Sequence, residues 1–228
     1  MTSLTKAFQE RKKKELSHGE VQPGGYGVVA SMPTSAVGKQ QVLAALAEAV
    51  DEDVAALKLI QSIKEKELVK KKTLIPKYLD AIRGLMAAES DHPLLGQILV
   101  WVFDAKDIPL AMDLAEHCIA HKVPMPERFR RSLEVFLCDT VLDWTEAEHD
   151  AHRSCEPYFS RICTLAEGWD MPDEVRARLR RLSGLIALDR EDYVLAVKEL
   201  KVALEYGAKV KTALKKAEKK LKQSKEDN

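Results

Sequence analysis

The residues with the most obvious chemical potential lie between positions 139 and 155. Four carboxylates at helical spacing are joined by two histidines and a cysteine at steps of three, in the set Asp139, Asp143, Glu146, Asp150, His149, His152 and Cys155. Clustered carboxylates that hold a metal ion are what a nuclease needs, and histidine with cysteine suits zinc. Only three nitrogen and sulfur ligands are present, however, and rows of Asp and Glu are usually solvated helix surface. We therefore predict no catalytic residue and no metal site, and keep His149, His152 and Cys155 as weak metal candidates.

Other catalytic signatures are missing from the sequence. The glycines at 24–27 have neither a preceding strand nor the Gly-Lys-Ser/Thr ending of a phosphate loop, and no nucleophile elbow is found. His117 and His121 lie one turn apart beside Cys118, which is typical of an exposed helix edge next to a buried cysteine. The four cysteines have no framework spacing, which favours free thiols in a reducing cytosol. The chain is expected to bind and organise without a cofactor, and whether it is also an enzyme stays open.

The distribution of charge along the chain indicates function more strongly than any catalytic motif does. The chain has 36 basic and 36 acidic residues, but the basic ones concentrate near the two ends and at 64–77, and the acidic ones between 78 and 173. This polarity suggests contact with a polyanion, while the alternative for any single run is a solvated helix face. The predicted contact residues are Arg11, Lys12, Lys13, Lys14, Lys64, Lys66, Lys70, Lys71, Lys72 and Lys77. The lysines between 209 and 225 are expected to form a solubilising tail or a contact with a partner protein.

Helical periodicity dominates most of the chain. Apolar residues step by three and four through residues 40–72, which predicts one long amphipathic helix that pairs with a copy of itself or packs on its own domain. No stretch approaches the roughly 20 apolar residues of a membrane span, and no secretory signal is present. We predict a disordered basic arm over 1–38, a long helix for oligomerisation or DNA binding over 39–74, a domain of helical hairpins over 75–207 and a Lys-rich helix and tail over 208–228.

Internal repeats predict how the helices pair. Residues 171–206 have the pattern of a helical hairpin, with Asp192 as the cap of its second helix and small residues such as Gly184 and Ala196 that permit close approach. Two aspartates, a leucine and an alanine of the segment 104–111 recur in register 85 residues later, at 189–196. We therefore predict an all-α fold, in which a long N-terminal helix precedes stacked hairpins resembling tetratricopeptide repeats.

Three stretches of the chain resemble the GpM-type terminase small subunits of temperate tailed phages, also called terminase endonuclease subunits. They are residues 57–78 with their lysine-rich end, residues 107–126 ending in His-Lys-Val-Pro-Met-Pro, and Met-Pro-Asp-Glu-Val-Arg-Ala-Arg-Leu at 171–179 with the hairpin that follows. The order of the three along one chain carries the resemblance, which extends over roughly residues 40–220.

The resemblance implies a role in packaging. It implies that the chain binds double-stranded phage DNA at the cohesive-end site, forms a homo-oligomer in the cytoplasm of the bacterial host, and recruits a large subunit with the ATPase and nuclease. The endonuclease name then describes the holoenzyme. Two alternatives remain: a protein-interaction scaffold without DNA binding, with its groove near residues 98–118 and 180–203, and a metal-dependent endonuclease acting through residues 139–155.

Overall fold

The computed structural model describes residues 35–226. Residues 1–34, which include the predicted contacts Arg11, Lys12, Lys13 and Lys14, lie outside the described part of the chain. The first described residue, Ser35, caps a helix: its hydroxyl accepts a hydrogen bond of 3.1 Å from the backbone N–H of Gly38. The first helix thus begins three residues before the predicted boundary at 39.

The prediction of an all-α fold is confirmed, since no strand occurs within residues 35–226. The helices are α1 (Ala36–Leu59), α2 (Ile63–Val69), a π-helical turn (Lys70–Leu74), α3 (Ile75–Ala87), α4 (Leu94–Asp104), α5 (Ile108–Ala120), α6 (Leu133–Asp150), α7 (Tyr158–Leu165), α8 (Asp173–Asp189), α9 (Tyr193–Glu205) and α10 (Lys211–Glu226). None of these helices is both long enough and apolar enough to cross a membrane.

The expected single helix over 40–72 is interrupted in the structure. Helix α1 ends at Leu59, and the backbone of Ile60 is extended, with φ −80° and ψ 126°. Ser62 then starts α2, its hydroxyl accepting a hydrogen bond of 3.2 Å from the N–H of Glu65. Serine followed three residues later by glutamate is the sequence pattern of a capping box, which competes with helix continuation. This signal lies within the apolar periodicity that predicted one helix.

The chain divides into two compact units, residues 1–129 and 130–228. This division falls inside the predicted domain of 75–207. In the first unit α4 is the most enclosed helix, with every residue from Leu94 to Phe103 buried, and it packs against α5 and α3. In the second unit α8 packs against both α6 and α9, and α10 packs against α9. The hydrophobic core around α8, α9 and α10 includes Leu200, Ala203, Leu214 and Ala217.

The sequence repeat corresponds to two turns with the same geometry. Asp107 caps α5 and Asp192 caps α9, each through a carboxylate oxygen that accepts from the backbone N–H three residues later, at 3.3 and 3.0 Å. The residues just before them, Lys106 and Glu191, have φ of +59° and +62°, the left-handed conformation that ends a helix. The repeated aspartates therefore encode the turn between the helices of a hairpin.

Small residues allow the helices of the second hairpin to approach closely, as predicted. A Cβ atom on Gly184 of α8 would lie 2.6 Å from Cγ of Leu200 on α9, a distance that real Cβ atoms do not show. Ala196 and Ala203 on α9 are fully buried. The likeness of these hairpins to tetratricopeptide repeats stays a prediction.

Candidate nucleic-acid interface

The predicted basic segment of the first unit folds as α2, the π-helical turn and the start of α3. Lys64, Lys71 and Lys72 are exposed, and Lys66 is half-buried. The other two predicted lysines of this segment, Lys70 and Lys77, are mostly buried in ion pairs of the unit itself. The structure therefore separates a group of solvent-facing cations from two structural ones that follow the same pattern in sequence.

Lys77 neutralises a buried carboxylate. Its Nζ atom lies 2.6 Å from Oδ2 of Asp53 on α1, whose side chain is 1% exposed. The hydroxyl of Tyr78 donates to the same oxygen, also at 2.6 Å. A buried charge is tolerated only when it is paired and hydrogen-bonded. Lys77 is therefore committed to joining α1 and α3, which makes it a poor candidate for contact with DNA.

Lys70 has a similar role at the other end of the segment. Its Nζ atom lies 2.5 Å from Oδ2 of Asp104, the last residue of α4, and only 13% of its side chain is exposed. The pair attaches the π-helical turn to the central helix of the unit. The ammonium group of Lys70 is therefore less available to a phosphate than those of Lys71 and Lys72, the next two residues.

Apolar side chains accompany the exposed lysines. Ile63 at the start of α2 is 72% exposed, and Leu68 in its last turn is 47% exposed. Ammonium groups contact phosphates and supply affinity without reading sequence, while exposed aliphatic side chains suit base methyl groups or another protein. We name the set Lys64, Lys66, Lys71 and Lys72, with Ile63 and Leu68, the α2 surface.

A second basic surface lies on α10, in the other unit. Val210, Leu214 and Ala217 are buried against α9, so the helix is docked rather than a free tail. Its remaining faces carry exposed lysines, and Lys209 lies just before its start. The set is Lys209, Lys211, Lys215, Lys216, Lys219, Lys220, Lys222 and Lys225. We name these lysines the α10 surface. The apolar spacing of 210, 214, 217 and 221 is the sequence signal that predicts this docking. The lysines of the α10 surface were not among the predicted contact residues.

Three of the four carboxylates in the row on α6 pair with arginines. Arg178 of α8 donates to Oε2 of Glu146 at 2.7 Å and to Oδ1 of Asp143 at 2.5 Å, and Arg181 donates to Glu146 at 3.3 Å. The hydrogen bond from Arg178 lowers the pKa of Glu146 and outweighs the effect of partial burial. Asp139 pairs with Arg131. The ion pairs of Asp143 and Glu146 join α6 to α8.

The weak metal candidates are not brought together. His149 Nε2 lies 2.8 Å from Oδ2 of Asp189. His152 is exposed in a left-handed turn, with φ +53°, and Cys155 is buried. Burial raises the pKa of the Cys155 thiol, so it stays protonated at neutral pH. Within residues 35–226, no three side chains of histidine, cysteine, aspartate or glutamate converge as metal ligands would.

Of the other cysteines, Cys118 and Cys138 are buried in the core and Cys163 is half-buried. Burial raises the pKa of Cys118, Cys138 and Cys163 to about 12, and all four cysteines are free. A thiol with such a pKa is a poor nucleophile near neutral pH. These side chains therefore contribute packing rather than covalent chemistry.

Comparison with known proteins points to one family. The family model described as phage small terminase subunit matches residues 47–174, more than half of the chain. The chain is 32% identical over 180 residues to the terminase, endonuclease subunit of Escherichia phage P2, which covers 75% of this chain and 70% of that protein. It is 29% identical over 148 residues to the probable terminase, endonuclease subunit of Haemophilus phage HP1 (strain HP1c1), covering 64% of this chain and about half, 53%, of that protein. No solved structure matches significantly.

Proposed function

The chain belongs to the phage small terminase subunit family, and from this premise we propose that it recognises packaging-site DNA for a terminase. The DNA would be the double-stranded cohesive-end region of the phage genome, met in the cytoplasm of the bacterial host. The chain would act as a homo-oligomer that hands this DNA to a large subunit carrying the ATPase and nuclease. Family membership supports a role in packaging.

The observation that carries the DNA-binding part is the α2 surface. It lies within the segment matched by the family model. Its lysines Lys64, Lys71 and Lys72 extend into solvent, while Lys70 and Lys77 are held inside the unit. Cations of this kind bind phosphates by releasing counterions from the duplex. A folded helix also presents them in a constant arrangement, which lowers the entropy lost on binding.

The α10 surface supports a second backbone contact. Its two acidic residues in the described range are both engaged: Glu218 pairs with Lys201 at 3.6 Å, and Glu226 pairs with Lys222 at 3.9 Å. Most of the lysines on α10 therefore remain available to phosphates. Because α10 lies after the family-matched segment, we propose that it adds affinity rather than recognition of the site.

The proposal assigns cleavage to the large subunit. The relatives from phages P2 and HP1 are named endonuclease subunits, and a nuclease needs carboxylates available to a metal ion. In this chain Asp143 and Glu146 accept hydrogen bonds from Arg178. Guanidinium groups at these oxygens oppose binding of a second cation there. The chain is therefore proposed as a binding subunit.

Fluorescence-polarisation binding tests the proposal directly. The full chain is titrated near physiological salt into labelled duplex with the cohesive-end region and into scrambled duplex. Preference of ~10³ or more for the cohesive-end duplex is expected of a protein that reads the site. Equal and weak binding to both duplexes would show that the chain alone does not recognise the site and that recognition requires the complex with the large subunit. No binding to either would favour the alternative of a protein-interaction scaffold.

Charge reversal then locates the contact. Lys71→Glu with Lys72→Glu removes two cations of the α2 surface. Two lost phosphate contacts are expected to flatten the slope of log affinity against log salt concentration by about 2, since each contributes ~0.9. The matched control is Lys39→Glu with Lys198→Glu, which changes two exposed lysines and the net charge equally. An equal effect of both variants would show that only net charge matters.

A further inference from the structure

A groove that shares only Lys66 with the α2 surface lies within the first unit. It has a volume of about 680 Å³, and its walls come from one face of α1, from α2 and the π-helical turn, from the first turns of α4 and from the segment 125–128. Its floor is apolar and consists of Val50, Val54, Leu57, Leu94, Trp101, Met125 and Pro126. Val54, Met125 and Pro126 are only half-buried, and covering their exposed apolar surface would gain free energy.

The dimensions of the groove suit a short peptide. The lining residues of α1 run from Ala47 to Lys58, which at 1.5 Å per residue corresponds to a length of roughly 17 Å. This length accommodates about three turns of a helix. Lining positions 47, 50, 54, 57 and 58 recur at the spacing of one helix face, the arrangement in which an amphipathic helix lies along a groove.

The rim of the groove is mainly cationic. Lys58, Lys66 and Arg128 border it, against two acids, Asp51 and Glu127. Lys70 also lines it but is already paired with Asp104. Carboxylates of a partner would therefore find more opposite charges than like charges along the rim. Complementary charge of this kind selects the partner and its orientation.

A buried hydrogen-bond donor lies in the wall. Gln97 is 8% exposed, and its Oε1 atom accepts a hydrogen bond of 2.6 Å from Nη1 of Arg128. Its Nε2 atom is buried and has no hydrogen-bond partner among the described residues. An unsatisfied buried amide costs free energy, and the carbonyl oxygen of a peptide in the groove would supply the acceptor after a small rotation of the side chain.

We propose that this groove binds an acidic, aliphatic peptide segment of a partner protein. Aliphatic side chains cover the floor between α1 and α4, carboxylates meet Lys58, Lys66 and Arg128, and a backbone carbonyl meets Gln97. A duplex fits the site less well, because its phosphates would lie over an apolar floor. Such a floor cannot replace the water that solvates the phosphate charges. The inference goes beyond DNA binding and does not depend on it.

Selection from a displayed library of random peptides tests the inference with the full chain as bait. Peptides of roughly 12 residues are long enough, as helices, to fill the groove. Counter-selection uses the variant Lys58→Glu with Lys66→Glu, which reverses the rim charge while leaving the apolar floor intact. The control bait is Lys39→Glu with Lys198→Glu, which has the same net charge but an unchanged groove.

The expected result is a set of peptides rich in Glu or Asp with Leu, Ile, Val or Phe at helical spacing. Their affinity falls about tenfold on the rim variant, a loss of 1.4 kcal/mol, and stays within twofold on the control bait. A second variant, Val54→Asp, places a charge on the floor and abolishes binding. The inference is overturned if no peptide depends on the groove, if basic peptides are selected, or if duplex DNA displaces the bound peptides.

Discussion

Neighbouring lysines differ in role because their surroundings differ. Lys70 and Lys77 each neutralise a carboxylate of another helix, at 2.5 and 2.6 Å, whereas Lys71 and Lys72 face solvent. A free ammonium group retains its full attraction for phosphate, while a paired one must first lose its partner. The α2 surface is therefore narrower than the run of lysines in the sequence suggests.

Replacing Lys77 by methionine tests its structural role. The change leaves the Asp53 carboxylate buried with the Tyr78 hydroxyl but without its cation, so we expect the free energy of unfolding to fall by ~3 kcal/mol. Urea denaturation followed by circular dichroism measures this loss. The double change Asp53→Asn with Lys77→Met removes both charges and should recover part of it. A loss below ~0.5 kcal/mol for Lys77→Met would contradict the assignment.

The link between Glu146 and Arg178 predicts a dependence of stability on pH. Because the folded-state pKa of Glu146 is lowered from its ordinary 4.5, its stabilising effect is fully present above that value. The effect is lost as the pH falls through the lower folded-state pKa. Glu146→Gln is therefore expected to lower the free energy of unfolding by ~1 kcal/mol at pH 7.

The cost of the same substitution should shrink as the pH falls below 4.5 and should be smallest at the lowest pH at which both proteins stay folded. Denaturant titrations at a series of pH values measure the difference between the two proteins. Glu167→Gln, at an exposed position after α7, is the control and should change little at any pH. A cost of Glu146→Gln that does not vary with pH would show that packing, not charge, is responsible.

Helix ends in this protein are set by short capping signals. Ser62, Asp107 and Asp192 each start a helix by accepting a backbone N–H hydrogen bond from the residue three positions later. A cap contributes ~1 kcal/mol, enough to end a helix where the apolar pattern alone would continue it. The interruption between α1 and α2 falls directly before the α2 surface.

The close contact of α8 with α9 predicts a coupled pair of substitutions. Gly184→Ala places a Cβ atom 2.6 Å from Cγ of Leu200, so we expect a loss of ~2 kcal/mol in the free energy of unfolding. Leu200→Ala removes the contacts with Cγ and Cδ2 and leaves only the backbone nitrogen of this position close, at 3.1 Å. In that background the same change should therefore cost ~1 kcal/mol or less. Thermal or urea unfolding of the four proteins gives the coupling, and purely additive effects would refute the contact.

The molecule as a whole has two units, each with its own core. A fragment of residues 130–228 retains the ion pairs between α6 and α8 and the packing of α9 and α10. We expect it to be helical and to unfold cooperatively in circular dichroism and urea titration. A matched fragment of residues 130–190 lacks α9 and α10 and should not unfold cooperatively. Loss of structure in the longer fragment would show that the second unit needs the first.

The sequence by itself determined the fold class, most helix positions and the family. These follow from local properties, because apolar spacing, caps and repeated turn residues act over a few positions along the chain. The repeated aspartates predicted the turns that Asp107 and Asp192 cap. The small residues at 184 and 196 predicted a tight hairpin. The resemblance carried by residues 57–78, 107–126 and 171–179 named the family that the comparisons then showed.

Tertiary structure alone decided which charges are available. Asp53 and Lys77, or Glu146 and Arg178, are separated by 24 and 32 positions in the chain, and no local pattern shows that they pair. Pairing removed Lys70 and Lys77 from the basic surface and removed the α6 carboxylates from the candidate metal ligands. It also took folding to place Lys58, Lys66, Gln97 and Arg128 around one groove, because a groove exists only where separate helices meet.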